Sequence, residues 1–158
     1  MRRANCRRSE PNLEGDTDMT QPIQDERSLY ERLGGYDAIA AATDDLLLGR
    51  LVRDPELGVY WKGKSQDSLR NDRQLIVDYL VAASGGPAFY RGRDMKTSHA
   101  GMGITNREWD IFMGHTRATL AHLAVPERES QEVLGFFESL KGEIVQPEHV
   151  HVADRSPR

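Results

Sequence analysis

"RGRDMKTSHAGMGIT", Arg91 to Thr105, is the stretch on which the reading of this chain turns. It sets one histidine, His99, between a Met-Lys pair and a glycine-punctuated turn. Gly92, Gly101 and Gly103 break the local periodicity, leaving room for a helical turn or two around Met95–His99. Just upstream, "GGP" at 85–87 stops a long amphipathic pattern running from Gln66 to Ser84, with Leu69, Ile76, Tyr79, Leu80 and Ala83 as its buried stripe. Just downstream, "TNRE" at 105–108 spells a capping box, Thr105 as the cap and Glu108 reaching back. The helix it opens carries Trp109, Phe112, Met113, Thr116, Leu120 and Leu123 on one face. The segment around His99 thus joins two long helices.

The same periodicity extends both ways. "SLYERLGGYDAI" predicts a short helix stopped at Gly34-Gly35, and a second helical pattern continues from Ala38 to about Arg53. Asp54-Pro55 breaks it, and "PELGVYW" reads as a short helix or turn carrying Tyr60 and Trp61. After Val125-Pro126 the last helix shows Val133, Phe136, Phe137, Leu140 and Ile144 at helical spacing. No segment reads as a strand, so the fold class is all-α. The residues from 27 to 147 form one domain. Residues 1–26 are polar with little to bury and read as a disordered leader, and 148–158 as a flexible tail. Met19 begins a plausible start of its own, so residues 1–18 are expected to be dispensable.

Composition removes several function classes. With 21 basic and 25 acidic residues the formal net charge is -4, which argues against a nucleic-acid surface. No apolar run approaches the roughly 18 residues that would span a bilayer. One cysteine, Cys6, permits no intrachain disulfide and fits a reducing cytoplasm. The five histidines lack HxxxH or HExxH spacing, and no P-loop, GxGxxG or GxSxG is present. His115 reads as a structural histidine; His149 and His151 fall in the tail.

What remains is one imidazole among Tyr90, Met95, Met102 and Ile104, between aromatic and aliphatic stripes. That combination suits haem: a neutral histidine nitrogen supplies the axial bond and apolar side chains cover the flat macrocycle.

Residues 28 to about 146 resemble a truncated haemoglobin of the first group, a short globin with a two-over-two helical sandwich. The resemblance rests on "SLYERLGG" followed by "YDAI", the "DPEL…YW" corner, "GGP" at 85–87, "Y.G..MK..H.G.GIT" from Tyr90 to Thr105, "GH" at 114–115 and "VP" at 125–126. It implies haem b as cofactor, a diatomic gas as ligand and His99 as the axial iron ligand. It further implies haem contacts from Tyr60, Trp61, Tyr90, Met95, Ile104, Trp109 and Phe112. Lys96 becomes a candidate partner for a haem propionate.

The ligand side departs from the family. "LLL" at 46–48 stands where many relatives carry Phe-Tyr, and the helix after it is one residue longer, so the tyrosine position matches Leu47 or Leu48. Ile76 stands where relatives often have glutamine, Leu80 falls at a bulky apolar position, and Asp72 or Arg73 lies about a turn earlier, facing the ligand. A hydrogen-bond donor stabilises the partial negative charge of bound dioxygen by about 1–3 kcal/mol. Weaker retention than in tyrosine-bearing relatives is the expectation, unless Arg73, Gln74 or Tyr79 substitutes. Reversible binding of dioxygen, carbon monoxide or nitric oxide is therefore the leading reading. Nitric oxide dioxygenase or peroxidase activity, with an unidentified reductase, is the alternative. A haem-free interaction protein is disfavoured by the retained His99.

Overall fold

The computed structural model describes residues 26–146, and over that range the chain is all-helical. The leader over 1–26, apart from Glu26, the tail and the proposed early start fall outside the described residues.

Helix α1 is one turn, Leu29–Arg32, capped by Ser28 and Glu31 in a reciprocal box. Helix α2 runs Gly35–Thr43 and passes directly into a π-helical segment, Asp44–Arg50, then a 3-10 turn, Leu51–Arg53. The sequence pattern predicts one ordinary helix here. A π turn closes i→i+5 bonds and so absorbs one extra residue, which is the surplus seen after "LLL". Side chains hold the wider turn in place: Asp44 accepts two bonds from Arg73, at 2.6 and 2.9 Å. Asp45 Oδ2 accepts from Thr119 Oγ1 at 2.7 Å and from Arg50 Nε at 2.8 Å. Burial would raise the Asp45 pKa, but the bonds from Thr119 and Arg50 outweigh it and hold it low.

The "PELGVYW" stretch becomes a 3-10 turn, Leu57–Trp61. Helix α3 spans Gln66–Ala83, with Ser65 as its cap. At Gly86 a Cβ would stand 2.5 Å from Tyr30 Cδ2 and 2.7 Å from Val81 Cγ1, so glycine lets the exit from α3 press against α1. Helix α4 is short, Met95–His99, capped by Asp94, and Gly101 at φ +78° turns the chain beyond it. Helix α5, Asn106–His122, opens on the expected Thr105–Glu108 box. Helix α6 runs Glu127–Ile144, with Pro126 at the capping position, one residue before the first turn.

Two pairs of helices organise these elements: α2 against α3, and α5 against α6, with α4 resting on α6 and the π segment on α5. Ile39, Ala40, Val77 and Val81 form the tight seam between α2 and α3. The stripe read along α3 is therefore only half of its buried surface. Val77 and Val81 are the fully buried residues, whereas Ile76, Tyr79, Leu80 and Ala83 turn toward a cavity between the two pairs. At the other edge Arg32 reaches Glu129 at 2.5 Å and also Glu132, tying α1 to α6.

Candidate functional site

The cavity holds about 690 Å³ and takes its wall from every helix. That lies within the range of about 300–1,000 Å³ typical of small-molecule and cofactor sites. His99 enters it from the end of α4, half-buried. Its Nδ1 lies 2.8 Å from the Met95 carbonyl oxygen. A carbonyl can only accept, so Nδ1 carries the proton and Nε2 is left with its lone pair. A backbone bond of this kind fixes both tautomer and ring orientation, as it does in ligating histidines generally.

Around the imidazole the wall is apolar and aromatic. Met95, Met102 and Ile104 come from its own segment, Trp109 and Phe112 from α5, Phe136 and Phe137 from α6. Ring contacts link several of these: Trp109 to Phe112 at 5.4 Å, Phe112 to Phe137 at 5.2 Å, and Tyr79 to Tyr90 at 5.0 Å. Trp109 is 2 % exposed, and its indole N–H is buried with no hydrogen-bond partner.

Several polar groups in the wall are paired with one another. Tyr60 donates to Glu108 Oε1 at 2.8 Å; burial, then that carboxylate, pushes the phenol up to about 12. Glu108 Oε2 accepts from the Thr105 amide and hydroxyl. Burial alone would raise the Glu108 pKa; these bonds and Tyr60 bring it below the usual range. Asp72 pairs with Lys64, which also lines the cavity.

Of the residues singled out in the sequence, His99, Tyr60, Trp61, Asp72, Ile76, Leu80, Tyr90, Met95, Ile104, Trp109 and Phe112 all line this one cavity. Leu47 lines it too, at 1 % exposure, whereas Leu48 does not. Arg73 lies outside the wall, held by Asp44, and Lys96 is exposed and also outside it. Gln74 is committed to Tyr36 at 3.0 Å and Asp78 at 2.8 Å. Tyr79 does line the cavity, and burial, then Glu143 and Tyr90, raise its pKa. His115 has the structural role expected of it, with Nε2 on Asp54 Oδ2 at 2.8 Å.

Sequence reasoning named neither Lys64 nor the aromatic pair of α6 as a haem contact, although it offered the stripe of the last helix as an apolar wall. The α6 signal was present in the Val133–Ile144 stripe, which also suits a plain core. Lys64 carried no signal, because a lysine before a helix cap is ordinarily a solvated surface group.

The residues fit haem on physical grounds. One imidazole with a free Nε2 faces a wide apolar cavity. Among the described residues no three His, Cys, Asp or Glu side chains converge, so a metal here must bring its remaining ligands with it.

Comparison with known proteins agrees with this geometry. The family model of bacterial-like globins matches residues 28–146. A group 1 truncated hemoglobin of Mycolicibacterium paratuberculosis is 31% identical over 121 residues, covering 77% of this chain and 86% of that protein. One from Tetrahymena pyriformis is 27% identical over 119 residues, covering 75% and 95%. The crystal structure of the Tetrahymena pyriformis truncated hemoglobin in its Fe(III) form superposes with a TM-score of 0.68 at 26% identity, covering 77% of this chain and all (100%) of that one. The chain belongs to the bacterial-like globins, with the two-over-two fold of the group 1 truncated haemoglobins. It is a haem protein of the gas-binding class.

Proposed function

We propose that the cavity takes haem b with His99 Nε2 as the axial nitrogen, and that a diatomic gas is held on a side walled by Leu47, Ile76 and Leu80. The observation that carries this is the Nδ1–Met95 bond at 2.8 Å, which orients the imidazole in the wall of a large apolar cavity. Haem supplies the iron to which the gas binds reversibly; the chain supplies the axial nitrogen, the wall and its polarity.

Leu47, Ile76 and Leu80 exclude water and offer no hydrogen bond to a polar ligand. Arg73 and Gln74 are held elsewhere by Asp44, Asp78 and Tyr36. The hydroxyl of Tyr60 is committed to Glu108. Retention of dioxygen is correspondingly weak, and carbon monoxide, less polar when bound, loses less. Both carboxylates of the wall are committed, Asp72 to Lys64 and Glu108 to Tyr60 and Thr105, which favours gas binding over turnover of nitric oxide or peroxide. A cytoplasmic setting fits the single cysteine. A reductase would be needed to return oxidised iron to its gas-binding state.

The test is spectroscopic. Protein loaded with hemin shows a Soret band, and His99→Ala abolishes or shifts it while the helical circular dichroism is kept. An unaltered band in His99→Ala removes the axial assignment; a colourless protein after reconstitution removes the haem reading.

A further inference from the structure

Haem b carries two carboxylates on one edge, and a globin must meet them at the mouth of its pocket. Lys96, on the ligating segment, is the candidate the sequence offers, yet it is exposed and does not line the cavity. Among the described residues, Lys64 is the only lysine or arginine in that wall. It sits just before the Ser65 cap of α3, with a side chain 39% exposed and paired with Asp72 one and a half turns into the helix. Of the neighbouring cations, Arg73 pairs with Asp44 and Arg70 with Asp67, and the exposed Lys62 does not line the cavity.

We propose that Lys64, held at the rim by Asp72, is the cation that receives a haem carboxylate. This rests on the haem reading above and adds the residue that sets the orientation and retention of the cofactor's polar edge. An ammonium has three N–H donors, so Lys64 can keep Asp72 and still donate to a second carboxylate. Its partly exposed position suits a group that must bind at the mouth rather than in the apolar interior. Glu108, the other carboxylate in the wall, does not compete for it, because both of its oxygens already accept bonds from Tyr60 and Thr105. Asp72 is a positioning residue here: it shortens the search of a four-carbon side chain, and it takes no part in holding the iron.

The experiment measures hemin transfer from the loaded full-length protein to excess apomyoglobin, followed in the Soret region. Each protein is loaded once with hemin and once with its dimethyl ester, in which both carboxylates are blocked. Lys64→Met is expected to release hemin about two- to five-fold faster than the parent, the effect of one partly exposed ion pair. The two proteins are expected to release the ester at the same rate. Lys96→Met is expected to match the parent with either porphyrin. Equal acceleration with hemin and ester would show that Lys64 acts on the fold alone and overturn the proposal. So would an unchanged hemin rate in Lys64→Met, or an ester-sensitive effect that appears in Lys96→Met instead. Failure of the parent to take up either porphyrin would overturn this inference together with the haem reading, and is distinct from every other result.

Discussion

The two inward faces of α3 differ although they lie one residue apart. Val77 and Val81 press into Ile39 and Ala40 of α2 with essentially no exposure, whereas Ile76 and Leu80 face the cavity and are only half-buried. Both faces are aliphatic. One is filled by side chains of the chain itself, the other is shaped for a cofactor. Hydrophobicity at helical spacing therefore has two distinct meanings within a single helix, and only the neighbour across the gap separates them.

Substitutions can break that comparison. Val77→Ala should have the largest effect: it opens a void in the packed seam and costs about 2–3 kcal/mol of stability in denaturant unfolding of the haem-free protein. Ile76→Ala in the same assay should cost less than about 1 kcal/mol, since little packs on it there. Similar losses for the two would show that the faces are equivalent. Next comes Gly86→Ala, whose new methyl meets Tyr30 and Val81 at the end of the seam and should cost about 1–3 kcal/mol.

On the cavity side, Ile76→Gln gives the gas a hydrogen-bond donor. Stopped-flow dissociation should show dioxygen leaving about ten-fold more slowly, equivalent to about 1.4 kcal/mol, with carbon monoxide changed far less. No change would mean that Ile76 does not face the ligand. A further modest effect concerns the corner outside both faces. His115, then the backbone amides of Leu57 and Glu56, hold the Asp54 carboxyl below its ordinary range. A depressed native-state pKa adds stability above the unfolded value of about 4, and that contribution is lost as pH falls through the native value. Asp54→Asn should therefore cost about 1 kcal/mol at pH 7, with the gap closing in melts taken progressively further into acid.

Much of the fold was legible because its signals are local. The Thr105–Glu108 box, the GGP stop and the Gln66–Ala83 helix all fall where sequence spacing puts them. A cap, a glycine or a proline acts on bonds three or four residues away, so the chain declares it directly. The π turn was legible only as a residue too many. Its position follows from Asp44 meeting Arg73 and Asp45 meeting Thr119, contacts spanning 29 and 74 residues. That turn is also what brings Leu47 rather than Leu48 into the cavity wall.

By itself, the sequence determined an all-helical chain with one imidazole set between two long amphipathic helices, because helical period and capping are properties of neighbours along the chain. The tertiary structure alone decided which aliphatic face of α3 packs and which lines a cavity. It also decided that Leu46 and Leu47, but not Leu48, line that cavity, and that Lys64 lines it whereas Lys96 does not. Those outcomes depend on what lies across the gap between helices, and no local rule of chain conformation carries that information.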